Sequence, residues 1–295
     1  IRVILGGPEV YFDNDEWFDL DVEAIVVGEG EKAFWDYLKD NDVTYVKTEK
    51  SQAKSLAKTD LKWLEQFESP YFLSFDQSTI NNRYLYIESS RGCPFNCTYC
   101  LSSTDTGVRF FSLDYLLSVF DKLCLYKIRQ VKFLDRTFNA NNERAFTLLE
   151  YLNKLDTKSN FHMELVGETL NDKILDFICE RLKKERFRFE IGVQSFNIET
   201  LRAINRYTNI SKLLVVLTRL VESKIIVHTD LIAGLPYEDL ESFINSYDQL
   251  FMLKPKEIQV GILKMLKGTL LTKDAQRYDI IYDHRPVYQI VKNSW

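Results

Sequence analysis

Arg91-Gly92-Cys93-Pro94-Phe95-Asn96-Cys97-Thr98-Tyr99-Cys100 places three of the chain's five cysteines within eight residues. A C-x3-C-x2-C spacing supplies three thiolates, enough to hold three corners of an iron–sulfur cube and leave the fourth iron open. Clusters that only pass electrons are commonly closed by four cysteines, so an open corner favours catalysis over electron storage. Cys124 and Cys179, the remaining pair, form no second cluster-like spacing. Zinc remains a second reading, with a fourth ligand from elsewhere. The only histidines, His162, His228 and His284, are all distant from the loop in sequence. Five cysteines in 295 residues fall far below the density of a secreted disulfide scaffold. Reduced thiols beside a labile cluster imply a reducing compartment, and the chain is expected to be cytoplasmic.

Bulk properties narrow the class. The apolar fraction of 45% and charged fraction of 27% are ordinary for a globular chain. No apolar run approaches the roughly 18 residues of a membrane span, and no secretory signal opens the sequence. A net charge of −5 argues against nucleic acid as the main ligand. Lys183-Lys184 with Arg186 and Arg188 is a small basic run flanked by glutamates, which reads as a solvated helix end. The first residue is Ile1, within what reads as a buried strand, and the last five are Val291-Lys292-Asn293-Ser294-Trp295. The expectation is a piece of a longer protein.

Outward from the cysteine loop the pattern becomes regular. Strands are predicted over 84–88, 131–134, 162–166, 188–193, 226–232 and 257–263. Helices are predicted over 113–125, 142–155, 172–183, 198–204, 212–223 and 240–252. Strands alternating with helices of this length read as βαβ units with right-handed crossovers. Six such strands predict an α/β fold, an incomplete TIM-like (β/α) barrel. Ligands of such barrels sit at the C-terminal ends of the strands. Upstream, a strand before Gly6-Gly7-Pro8, a strand at 24–27 before Gly28-Glu29-Gly30-Glu31 and a helix at 32–39 have the cadence of a doubly wound sheet. The expected divisions are 1–46 for this Rossmann-like tail, 47–82 for an irregular linker with a short helix at 61–67, 83–268 for the barrel, and 269–295 for the start of a further domain.

Polar residues gather where the barrel strands end. The cysteines follow the first strand, and Asp135, Arg136 and Asn139 follow the second. Glu164 lies on the third, Glu190 and then Gln194 on the fourth, Asp230 on the fifth, and Gln259 and Lys264 on the sixth. Charged groups in a barrel interior are costly unless paired or hydrogen-bonded. Their convergence on one mouth predicts a polar ligand, although Glu190 or Lys264 alone could face outward and Asp230 could cap a helix.

These residues resemble the radical S-adenosylmethionine (SAM) superfamily over roughly 84–267. In that superfamily the open iron of a 4Fe–4S cluster binds the amino and carboxylate groups of SAM. One electron then cleaves the sulfonium to methionine and a 5′-deoxyadenosyl radical. By that resemblance Cys93, Cys97 and Cys100 are the cluster ligands. Gly192-Val193-Gln194-Ser195-Phe196-Asn197, Asn205-Arg206 and Asp230-Leu231-Ile232-Ala233-Gly234-Leu235-Pro236 are similar to the SAM-binding signature of oxygen-independent coproporphyrinogen oxidase and its relatives. The similarity implies that Gln194 and Asp230 contact the ribose, Arg206 faces the carboxylate, a contact that suits arginine, Glu164 holds the amino group and Tyr99 lies beside the adenine. The family's Gly-Gly-Glu segment is here Leu134-Asp135-Arg136-Thr137-Phe138-Asn139, which places Asp135 and Arg136 at the amino-group position without the glycines.

Ile4-Leu5-Gly6-Gly7-Pro8 and Val26-Val27-Gly28-Glu29-Gly30-Glu31 look like the last third of the cobalamin-binding domain that precedes many such barrels, with Gly6 and Gly7 near the nucleotide tail of cobalamin. Ser90-Arg91-Gly92-Cys93-Pro94-Phe95 and Met265-Leu266-Lys267-Gly268-Thr269 resemble a mostly uncharacterised branch with an additional C-terminal domain. The resemblance implies an enzyme of oxidoreductase or methyltransferase type. It implies hydrogen abstraction, methyl transfer through cobalamin, a small-molecule substrate and an external electron donor of flavodoxin or ferredoxin type. It implies neither nucleic acid nor membrane as a partner. An iron–sulfur electron-transfer or sensor protein without SAM chemistry is the alternative.

Overall fold

The computed structural model describes residues 1–52, 54–73, 79–104 and 107–295. Positions 53 and 74–78 of the expected linker lie outside the described residues. The chain opens with β1 (Ile4–Leu5), β2 (Ala24–Val26), α1 (Gly30–Asp40) and β3 (Val46–Lys47). β1 runs parallel to β2, and β3 pairs with β2 antiparallel. One side of this sheet buries Ala24 and Val26 with Ala33 and Tyr37 of α1, and the other buries Val10, Ile25 and Val27. The sheet's hydrogen bonding extends into the stretch expected to be linker. Ala57 donates to Val27 O at 2.8 Å and accepts from Glu29 N at 2.9 Å. Its side chain then fills the small core. A lone apolar residue in a polar stretch gives no periodic signal, so this tie was not legible in the sequence. α2 (Leu61–Leu64) is a single turn begun by the Asp60 carboxylate, which accepts from Lys62 N.

The second part carries β4 (Tyr84–Ile87), β5 (Ser90–Cys93), β6 (Gly107–Phe110), α3 (Leu113–Leu123), β7 (Gln130–Phe133), α4 (Asn142–Lys154), β8 (Asn160–Leu165) and α5 (Asp172–Arg181). It continues through β9 (Phe187–Gln194), α6 (Ile198–Ala203), α7 (Ile210–Glu222), β10 (Ile226–Ala233), α8 (Leu240–Met252) and β11 (Glu257–Ile262). Six of these strands form one all-parallel sheet in the order β11-β10-β9-β8-β7-β4. Among the described residues β4 and β11 do not pair, so the sheet is an open, partial α/β barrel. Helix starts are set by side-chain caps: Asn141, Asn171, Asn209 and Asp239 each accept from the third following amide. Apolar residues at i, i+3, i+4 and i+7, such as Ala145, Leu148, Leu149 and Leu152 of α4, then face the sheet and are buried.

Strand parity decides what the barrel can hold. In β9, Phe187, Phe189, Ile191 and Val193 are essentially buried under the helices, while Arg188, Glu190, Gly192 and Gln194 alternate with them and stay part-exposed. β8 does the same, with Phe161, Met163 and Leu165 on the packed face and His162 and Glu164 on the other. Period-two alternation thus gives the sheet an apolar outer face and a polar inner one.

The cysteine stretch itself departs from the expected loop. Ser90 to Cys93 form β5, paired antiparallel with β6. Gly92 permits this with φ of +92°, and a Cβ there would fall 2.1 Å from Gly107 O, so no other residue fits without moving the backbone. Arg91, on the same strand, reaches back to the amino-terminal sheet. Its guanidinium meets Glu29 at 3.0 Å, Glu31 at 2.6 Å and Glu88 at 2.8 Å, while Arg109 of β6 also pairs with Glu29. Arg91→Ala is expected to leave Glu31 and Glu88 without this cation and Glu29 to Arg109 alone, and to lower stability by about 1–3 kcal/mol. A urea midpoint unchanged by the substitution would exclude the ion cluster as a clamp between the two parts.

The last elements, α9 (Leu270–Lys273), β12 (Ile281–Tyr282) and β13 (Ile290–Lys292), lie against the barrel. Leu271, Ala275, Tyr278 and Ile280 share a core with Leu201, Ile204, Leu235, Leu263 and Met265.

Candidate functional site

Cys93, Cys97 and Cys100 stand at the rim of the inner sheet face, and the backbone around them is pinned from two sides. Thr98 N donates to Ile204 O at 3.0 Å, Asn205 Nδ2 to Asn96 O at 2.9 Å, and Leu271 N to Thr98 O at 2.9 Å. Cys100 N closes a turn onto Cys97 O at 3.1 Å. All three sulfurs are free thiols. They line one cavity of about 320 Å³ together with Tyr99, Arg136, Glu164, Gln194, Arg206 and Asp230. These nine residues, singled out in the sequence and drawn from five strand ends and the loops beside them, therefore meet in one place. Glu190 and Gln259 line the same cavity, so Glu190 faces inward. Lys264 is exposed and bridges to Gln289 instead.

Asp135 is the correction. It is fully buried and absent from the cavity lining. Its carboxylate accepts from Ser89 N at 2.8 Å and from the hydroxyls of Ser89 and Ser90 at 2.6 Å. Burial holds its pKa above the ordinary carboxylate value even against those three donors. Asp135 thus anchors the start of the cysteine hairpin rather than reaching a ligand. Asn139 is likewise structural, bonded through its amide to Val166. Thr137, which the sequence did not single out, does line the cavity, with its hydroxyl 3.5 Å from Cys93 Sγ.

The electrostatics of the cavity follow from burial and a single arginine. Burial pushes the Cys97 thiol up, opposed by the Arg206 guanidinium 4.0 Å away. Burial also raises Tyr99. Arg206 stays firmly charged despite its own burial, because Tyr99 and Cys97 adjoin it. It is held by Gly192 O at 2.5 Å. On the acidic wall, Glu164 is raised by burial and by Glu190, and Asp230 is pushed up to about 7 by burial and the same neighbour. The wall carries more carboxylate than it can ionise alone and attracts a positively charged partner.

Two observations bear on whether this donor set fits a cluster and SAM. Three free thiols beside a fixed cation suit an anionic, thiolate-held cube. Buried Gln194 Oε1, Arg206 Nε and Asp230 Oδ1 have no hydrogen-bond partner within the chain, as expected of groups that await a polar ligand. Gln194 is held in the left-handed region at φ of +69°, a strain of the kind kept at ligand sites. A Cβ on Gly192 would strike its amide at 2.3 Å. The residues fit.

Positioning extends one layer outward. The loops after β9 and β10 are joined by buried Glu238, which accepts from the Ser195 hydroxyl and, at 3.4 Å, from that of Ser246. Burial raises its pKa, so the folded state keeps a proton that the unfolded chain has lost. Stability contributed there falls as pH rises from the ordinary carboxylate range through the raised value. Glu238→Gln is therefore expected to raise Tm by a few degrees more at pH 8 than at pH 5. Equal shifts at both pH values would show that the carboxyl does not titrate in the fold.

Gly6 and Gly7 lie elsewhere, in a second cavity of about 550 Å³ between the amino-terminal sheet and the barrel, with Glu29, Arg91 and Arg136 in its walls. Among the described residues no helix is long and apolar enough to cross a membrane.

An open parallel barrel with three clustered cysteines at its C-terminal rim defines an iron–sulfur, SAM-binding class of fold. The family model "Radical SAM superfamily" matches residues 87–250, and the chain belongs to that family. Its members bind a 4Fe–4S cluster and SAM. Among curated proteins, an uncharacterized methyltransferase of Pyrococcus horikoshii is 28% identical over 168 residues, 50% of this chain and 36% of its own length. The cobalamin-dependent radical SAM methyltransferase TokK of Streptomyces tokunonensis is 25% identical over 272 residues, 82% of this chain and 39% of its own. The chain thus spans well under half of these two relatives. The solved structure of the methyltransferase TsrM from Kitasatospora setae, with cobalamin and a [4Fe-4S] cluster bound, superposes with a TM-score of 0.73. It does so at 13% identity, over 97% of this chain and 61% of that one. At that identity the likeness is one of fold.

Proposed function

We propose that Cys93, Cys97 and Cys100 hold a 4Fe–4S cluster and that SAM binds in the adjoining cavity, in a radical enzyme that acts on a small-molecule substrate. The observation that carries this reading is the meeting of the three thiols with Arg206, Glu164, Gln194 and Asp230 around one cavity. When bound, the cluster would supply the electron for reductive cleavage of SAM, chemistry that would serve hydrogen abstraction from the substrate. The chain's own part is placement. Arg206 offers its guanidinium to the SAM carboxylate, and Glu164 and the backbone near Arg136 take the amino group. Gln194 and Asp230 accept from the ribose hydroxyls, and Tyr99 flanks the adenine. Apolar packing around Tyr99 keeps water from that side.

The cavity at Gly6 and Gly7 is proposed as part of a cobalamin site, and methyl transfer as the overall reaction. The relative named as a cobalamin-dependent methyltransferase, aligned over 82% of this chain, supports that reading. An external flavodoxin- or ferredoxin-type protein would supply the electron. The decisive experiment uses the anaerobically reconstituted protein with dithionite and SAM. Release of 5′-deoxyadenosine is expected. A full iron complement that leaves SAM uncleaved would overturn the assignment.

A further inference from the structure

Below the proposed SAM contacts, the inner face of the sheet carries two of the chain's three histidines. His162 on β8 and His228 on β10 flank Glu190 on β9, and His228 is in direct register with Glu190. One nitrogen from each imidazole and one oxygen from Glu190 lie within 4.8 Å of one another. His162 Nε2 is 3.1 Å from Glu190 Oε2, and His228 Nε2 is 3.3 Å from Asp230 Oδ1. Neither approach has the alignment of a hydrogen bond, and both nitrogens of His228, Nε2 of His162 and Oδ1 of Asp230 are buried without a partner. His228 is only 7% exposed. His162 Nε2 and one nitrogen of His228 thus converge on the Glu190 carboxylate without an aligned hydrogen bond, as buried polar groups that await a ligand do. A single cation can take one nitrogen from each imidazole together with a Glu190 oxygen, leaving the other nitrogen of His228 to carry its proton.

We infer that His162, Glu190 and His228 form a site for a divalent transition-metal cation, with Asp230 beside it and an open coordination position toward the cavity. Two imidazoles and one carboxylate are the donor set of catalytic zinc and non-haem iron sites that keep a position free for water or substrate. Ligand bonds near 2.1 Å place donor atoms roughly 3.3 Å apart, so small side-chain rotations close the triad around an ion. The open position would take an oxygen or nitrogen donor of the substrate. This site does not depend on cluster or SAM binding, and its readout is the cation itself.

The test is Co²⁺ binding to the metal-free full-length protein carrying Cys93→Ser, Cys97→Ser and Cys100→Ser, which removes the thiols as competing ligands. One Co²⁺ per chain is expected, with ligand-field absorbance and no sulfur-to-cobalt charge transfer. Adding His162→Gln or His228→Gln is expected to weaken binding by at least about 10–100-fold, the loss that even outer-sphere partners of a metal produce. No uptake by the triple variant, or uptake unchanged by both histidine substitutions, overturns the site. Should the serine variant fail to fold, imidazole NMR of the wild-type protein with Zn²⁺ decides the question. Shifts at His162 and His228 with His284 unmoved support the site, and any other pattern, including none, overturns it.

Discussion

Cys97→Ser is expected to reduce bound iron from about four per chain to background and to abolish 5′-deoxyadenosine release. Cys97 is the most buried of the three rim cysteines, and its sulfur is the one facing Arg206. Burial disfavours a bare thiolate there, so the charge is sustained by the cation and, in the loaded protein, by iron. Serine keeps the volume but supplies a hard, weakly acidic oxygen in place of a soft thiolate, and thiolates are what hold clusters. With two remaining sulfur ligands the cube has one anchored edge. The same substitution at Cys124, whose thiol donates to Phe120 O at 3.5 Å and does not line the cavity, is expected to leave iron content unchanged. Iron and sulfide analysis on anaerobic protein, with circular dichroism to verify folding, separates loss of a ligand from loss of structure. Retention of four irons in Cys97→Ser would remove this cysteine from the ligand set.

The barrel was legible in the sequence because each strand and helix carries its own periodic signal. β9 reads Phe-Arg-Phe-Glu-Ile-Gly-Val-Gln, and the strict alternation states the element and sorts its residues onto two faces, while the cavity shows that the face of Glu190 is the inner one. α8 was delimited at its observed ends because Asp239 caps it and a Lys-Pro pair follows. The same parity argument would have found the histidines. His162 and His228 stand two residues before Glu164 and Asp230 on the same strands, so they had to share that inner face. What stayed hidden depends on distant partners. Gly28 to Glu31 read as a turn of the doubly wound sheet, with no sign that Glu29 and Glu31 also pair with Arg91 and Arg109. Nothing in either segment names the other. Asp135 was misplaced for the same reason. An acid at a strand end looks the same in sequence whether it reaches a ligand or the backbone of Ser89.

Arg206→Ala is expected to weaken SAM binding by at least about 30-fold, or about 2 kcal/mol, while the cluster is retained. Arg206 follows Asn205, whose left-handed backbone at φ of 56° turns the chain back under the cysteine loop. Its guanidinium divides its donors. One nitrogen is committed to Gly192 O at 2.5 Å, another faces Cys97 Sγ at 4.0 Å, and Nε is buried without a partner. An uncommitted donor on a fixed cation is what a carboxylate ligand needs, and the bond would be charge-assisted and shielded from water. Alanine removes that charge and also frees the Gly192 carbonyl, so a simple loss of affinity must be told apart from a loosened cavity. Arg206→Lys serves for this. Its ammonium restores the charge but cannot serve Gly192 and a ligand with the same planar fork, so it is expected to recover only part of the affinity. Calorimetric titration of cluster-loaded protein with SAM under non-reducing anaerobic conditions gives the dissociation constants, and iron content reports on the cluster in the same samples. If both variants bind SAM as the wild type does, the carboxylate is held elsewhere and the charge of Arg206 serves the thiolates alone.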